Sequence, residues 1–133
     1  MKKIIVLMAA VVMLNGCTLL DAYFMAGYDN QEYVLINKIR TKAQLSQKEC
    51  FDRDKTIGNI LTLIDLTTEF QNFTQHIPRN PEAYKMATQM TELVDQSAKA
   101  YSGNPSQFFC KAKLQQIERN AEKIQTVLGS KPR

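Results

Sequence analysis

Apolar side chains recur at alternating steps of three and four along most of this chain, the spacing of helices that each bury one stripe. From residue 29 the first such stretch carries Ile36, Ile39, Ala43 and Cys50 inward, with polar residues between them. A second, over 55–76, carries Ile60, Leu63, Leu66, Phe70, Phe73 and Ile77. A third sets Ala83, Ala87, Met90, Val94, Ala98 and Tyr101 on one face. The fourth and cleanest sets Cys110, Leu114, Ile117, Ala121, Ile124 and Leu128.

Local signals place the ends of these stretches. Asp29, with Glu32 three positions later, reads as the acidic relative of a capping box, in which the first side chain accepts a backbone N–H and the second reaches back. Helix one then runs to about Cys50. A break follows at Phe51-Asp52-Arg53-Asp54, where no glycine or proline enforces it and the two aspartates offer caps for helix two. Pro78 stops helix two. Asn80-Pro81 and Asn104-Pro105 each set a capping side chain before a proline at the first helical position, and are read as the starts of helices three and four. Ser102-Gly103 ends the third helix, and Gly129 ends the fourth ahead of a Lys-Pro-Arg tail.

Alternation this strict is the packing pattern of helices crossing at shallow angles. Helices of about 22 residues span about 33 Å, and short connections make neighbours antiparallel. The expected fold is all-α: an up-down-up-down four-helix bundle over 29–129, followed by a tail at 130–133. Ahead of the bundle, residues 18–28 form an apolar tether. Its Leu19, Leu20, Tyr23, Phe24 and Met25 either lie in a membrane interface or pack against the bundle.

Upstream the pattern changes. Lys2 and Lys3 precede an uncharged run from Ile4 to Leu14, then Asn15-Gly16-Cys17, the order of a secretory signal. About eleven apolar residues are too few to span a bilayer core, which takes roughly twenty. Leu14-Asn15-Gly16-Cys17 resembles the lipobox of bacterial lipoproteins, although Asn15 stands where that family has a small or apolar residue. The resemblance implies cleavage before Cys17 and attachment of diacylglycerol and acyl chains such as palmitate to it. Residues 1–16 are then the signal, and residues 17–28 a lipidated tether. In that family an aspartate after the cysteine tends to hold the protein at the inner membrane. Thr18 in that place implies the periplasmic face of the outer membrane.

Charge alters this picture little. The chain holds 17 basic and 13 acidic side chains. Without Lys2 and Lys3 the balance is +2, with no basic block interleaved with aromatics, and nucleic acid is not an expected partner. Lys38, Arg40 and Lys42 make a short basic stripe that either meets anionic lipid or, as the plainer reading has it, forms a solvated helix face.

Setting Cys17 aside leaves Cys50 and Cys110, a pair in a compartment that permits disulfides. In the expected bundle the end of helix one and the start of helix four share a pole. The two cysteines are therefore expected to bond.

Little else carries chemistry. His76 is the only histidine, placed at a helix end where the dipole favours it, with no nucleophile elbow or supporting motif nearby. The position three before it is Phe73, not a glutamate, so the Glu-X-X-His dimetal pattern is missing, as are haem and calcium motifs. Asp65 with Glu69, and Glu92 with Asp95, read as exposed charges. Met86 and Met90 read as core filling rather than metal ligands. Neither enzymatic activity nor a metal or other cofactor is expected. Phe108 and Phe109 precede the inward Cys110, so one ring points away from the core and either contacts a partner or covers the disulfide.

The crosslink between first and last helices resembles, in architecture alone and over 30–128, that of type II secretion pilotins, small outer-membrane lipoproteins whose groove captures an amphipathic helix of the secretin. The resemblance implies a membrane-anchored module that binds an envelope protein. The same features suit a phage- or plasmid-encoded exclusion factor that blocks an outer-membrane receptor. Neither reading fixes an oligomeric state.

Overall fold

The computed structural model describes residues 26–133; the signal segment, Cys17 and tether residues 18–25 lie outside them. Four helices follow one another: α1 (Asn30–Ser46), α2 (Arg53–Gln75), α3 (Pro81–Tyr101) and α4 (Gln107–Gly129), with a 3-10 turn at Gln47–Glu49 extending α1. Asp29 opens α1 by accepting from the backbone N–H groups of Gln31 (2.8 Å) and Glu32 (3.0 Å). Of the two aspartates at the next break, Asp52 caps α2 through the Lys55 N–H at 3.1 Å. Each cap satisfies amide donors that no carbonyl of the first turn can reach.

Connections of five or six residues reverse the chain three times. α1 packs on both α2 and α4, and α3 packs on α2, giving the expected up-down-up-down four-helix bundle. The contact between α3 and α4 is the least extensive of the four.

Two helix starts differ from their sequence reading. α4 begins not at Asn104-Pro105 but two residues later, where the Ser106 hydroxyl accepts from the Phe109 N–H at 3.2 Å. Asn104 instead turns the chain at φ 59°, the left-handed region that asparagine tolerates better than most residues. α3 does start at Pro81, but Asn80 makes no cap hydrogen bond. Its amide is used elsewhere.

The core runs the length of the bundle. Every apolar position read inward on α4 is buried, as are Ile36, Ile39, Ala43, Ala83, Ala87, Met90 and Val94. On α2 the buried stripe passes through Ile60, Leu63, Thr67, Phe70 and Thr74, while Leu66 and Phe73 sit half-buried beside it. Threonine fits this seam because its hydroxyl is satisfied within the helix. Thr67 Oγ1 donates to the Leu63 carbonyl at 2.9 Å and Thr74 Oγ1 to that of Gln71 at 3.0 Å. The small side chain lets α3 approach closely enough for Thr91 to donate to the Thr67 carbonyl at 3.3 Å.

Polar links lace the other seams. Arg40 donates to Gln125 (3.0 Å) and Glu122 (3.2 Å) across α1 and α4. Lys42 donates to Asn59 at 2.7 Å, and Asn59 to Glu49 at 2.7 Å. Of the basic stripe Lys38 is exposed, while Arg40 and Lys42 are half-buried and tied into these links.

Candidate functional site

The bundle has two poles of opposite character. At one, the chain enters before α1, α2 hands over to α3, and the segment after α4 returns. Tyr28 donates its N–H to the Pro132 carbonyl (2.7 Å), and Ala26 to the Arg79 carbonyl (3.0 Å). The guanidinium of Arg133 stands 5.3 Å from the centre of the Tyr28 ring.

Beneath this backbone crossing lies a buried charge cluster. Lys131 Nζ donates to Glu32 Oε2 at 2.6 Å and to Asn80 Oδ1 at 2.8 Å, and the Asn80 amide donates to the other oxygen of Glu32. The side chains of Lys131 and Glu32 are each 1% exposed. Residues 130–133 are thus not a loose tail. Glu32 does not reach back to cap α1, because both its oxygens are engaged in this cluster. An ion pair so completely desolvated persists only with good geometry and further hydrogen bonds, which Asn80 supplies.

The other pole holds the disulfide. Cys50 and Cys110 are bonded, with Cα atoms 5.7 Å apart and sixty positions of chain between them. Phe108 and Phe109 divide as their spacing requires. Phe108 is 82% exposed, whereas Phe109 is half-buried against Tyr101, ring centres 6.0 Å apart at 68°, with Lys113 over its outer face. Phe51, at 71% exposure, stands next to Cys50.

Two clefts open here, of about 240 and 200 Å³. Arg53, Ile57 and Tyr101 line both; Phe51 and the disulfide wall the first, Leu61 and Ala98 the second. Tyr101 is 7% exposed, and its hydroxyl has no hydrogen-bond partner among the described residues. Burial pushes its phenol up from 10.0 to about 12. Of the large apolar side chains left exposed, Phe51, Ile57, Leu61 and Phe108 belong to this end, and Leu45 lies one turn before it on α1.

The remaining candidates are structural in their surroundings. His76 follows α2, its Nδ1 2.7 Å from the Asn72 carbonyl. Asp65, Glu69 and Glu92 are exposed and Asp95 half-buried. Met90 is buried, and Met86 sits half-buried at the margin of α3 and α4. Among the described residues no three His, Cys, Asp or Glu side chains converge in a way that would hold a metal ion. No helix among them is long and apolar enough to cross a membrane. No protein-family model, curated protein or solved structure matches this chain.

Sequence reasoning missed Glu32, Asn80 and Lys131 as a group. No local signal joins them, because they are 48 and 51 positions apart. That one of Phe108 and Phe109 points away from the core was legible from the inward Cys110; that the exposed ring is Phe108, with Phe109 half-buried, came from the structure.

Proposed function

We propose that this chain is a lipoprotein of the outer membrane's periplasmic face whose disulfide pole docks an envelope protein. The observation that carries the reading is that exposed Phe51, Ile57 and Leu61 line the two clefts at the pole opposite chain entry, with Phe108 exposed at the start of α4 at the same end. Exposed apolar side chains scattered singly are ordinary, but a group around clefts is the anatomy of a contact surface. Aromatic rings give such surfaces large contact area at little entropic cost. The crosslink beneath Phe51 and Phe108 holds the two helix ends in fixed relation, which spares a partner the cost of ordering them.

Lipid on Cys17 supplies the anchor, and two or more chains at about 0.8 kcal/mol per buried methylene make attachment lasting. The work proposed for the exposed apolar pole is binding. By its likeness to pilotins, the partner to look for first is a secretin segment.

A photo-crosslinking amino acid at Phe108 or Phe51 in living cells should yield an adduct with one envelope protein. The same probe at Glu82, beside the entry pole, should not. Equal adducts from both poles, or none from Phe108 and Phe51, would retire the docking surface. Palmitate labelling that survives Cys17→Ser would retire the anchor separately.

A further inference from the structure

The two clefts at the disulfide pole adjoin across a shared wall, since Arg53, Ile57 and Tyr101 belong to both. Phe51, just before α2, walls the first, and Leu61, two turns into α2, walls the second. Along α2 the order is therefore apolar cleft, shared wall, apolar cleft. At about 240 and 200 Å³, each is smaller than the roughly 300–1,000 Å³ pockets that enclose small-molecule ligands. At about 30 Å³ for a water-sized group, the smaller one holds about seven such groups, the number of carbons in a phenylalanine side chain. Each cleft fits one large apolar side chain of a protein better than it fits a whole ligand.

The shared wall is polar in a particular way. Among the described residues Arg53 is the one charged side chain in either lining, and it is exposed and makes no ion pair. Beside it Tyr101 is 7% exposed, with a hydroxyl that finds no acceptor among those residues. Burial keeps that phenol protonated and able to donate. A cation and an unmatched donor thus stand between two apolar recesses, and what complements both is a carboxylate.

We propose that the pole receives one acidic segment of its partner: a carboxylate held by Arg53 and the Tyr101 hydroxyl, flanked by two large apolar side chains, one in each cleft. The proposal rests on the docking reading above and names the chemistry of the docked segment. The apolar side chains supply the contact area, and the carboxylate fixes the register. A partner segment without the acid would bury Arg53 unpaired, which is how the pair discriminates. Arg53, Ile57 and Leu61 are four apart on one face of α2 and extend over about 12 Å, so the flanking side chains belong to residues close to the acid in the partner's sequence.

A photo-crosslinking amino acid at Phe51 reports docking on the full-length protein in living cells. Arg53→Glu should cut the adduct by about tenfold or more, because a like charge then faces the carboxylate. Glutamate at the first residue of a helix suits the dipole, so α2 stays sound in this variant. Lys38→Glu, the same change of net charge on the exposed face of α1, should leave the adduct as it is. Tyr101→Phe should lower the adduct about threefold with no loss of thermal stability, since it deletes one donor and nothing else. Mass spectrometry of the adduct should place the crosslink within a few residues of an aspartate or glutamate with large apolar neighbours. Replacing that acid by lysine in the partner should restore the adduct of Arg53→Glu. An adduct indifferent to Arg53→Glu or to Tyr101→Phe, or one whose partner segment lacks the acid, overturns this proposal and leaves the docking reading in place. Absence of any adduct at Phe51 in the otherwise unaltered protein removes the docking reading and this proposal with it.

Discussion

At the residue scale, two buried polar groups have opposite standing. Lys131, Glu32 and Asn80 satisfy one another, so removing a single member leaves an uncompensated charge in the interior. Lys131→Ala should lower unfolding free energy by about 3–5 kcal/mol in a denaturant titration, and Lys131→Met with Glu32→Gln should recover part of it. Tyr101 is the reverse case, a buried hydroxyl with no partner in the described structure. An unmade hydrogen bond costs about 1–3 kcal/mol, so Tyr101→Phe should be neutral or stabilising. Its titration follows in sign. The folded-state value is raised from 10.0 to about 12 by burial, so the unfolded chain releases this proton first as pH rises. Tyr101 therefore makes no pH-dependent contribution below pH 10, and its part in stability falls between pH 10 and about 12. Ultraviolet titration of tyrosine absorbance should show one late phenol that Tyr101→Phe removes. If all phenols of the wild type titrate together, the burial of that ring is wrong.

At the scale of elements, the sequence was most legible where one physical rule acts alone. The α4 stripe from Cys110 to Leu128 needs only the helical period, and each of its members is buried. Pro81 and Asp52 mark helix starts by their own chemistry. Legibility failed where two rules compete. On α2 the most apolar choices, Leu66 and Phe73, yield the centre of the seam to Thr67 and Thr74, because close approach of α3 favours smaller side chains whose hydroxyls bond internally. At the start of α4, Asn-Pro repeats the signal that opens α3, yet Ser106 lies two residues on and is an equally good cap. Asn104 is left free to take the left-handed turn. The two readings of that start separate experimentally. Ser106→Ala should cost about 1 kcal/mol by thermal unfolding. Asn104→Gly, which keeps the turn and deletes the side chain, should be close to neutral. A large loss from Asn104→Gly with none from Ser106→Ala would restore the earlier start.

At the scale of the whole molecule, each pole is fastened by a link between distant parts of the chain, and only one of these could be read in advance. Two cysteines placed at the same end of an antiparallel bundle announce the disulfide through topology. The entry pole gives no such notice, since Glu32, Asn80 and Lys131 are ordinary surface residues in any local reading. The two fastenings act on different states. The disulfide closes a loop of about sixty residues and restricts the unfolded chain, a contribution on the order of 4 kcal/mol in the entropy model. The charge cluster acts in the folded state, at the pole where Tyr28 is joined to Pro132 and Arg133. Ending the chain after Gly129 removes Lys131 and the Pro132 carbonyl together and strands Glu32 and Asn80. The loss from this truncation should match or exceed the loss from replacing both Cys50 and Cys110 by alanine. Local behaviour should separate them further: hydrogen exchange should quicken first in the opening turns of α1 and α3 for the truncated chain, and in the last turn of α1 and first turns of α4 for the cysteine variant. A truncated protein that unfolds at the same denaturant concentration as the full chain would show that residues 130–133 merely rest on the bundle rather than close it.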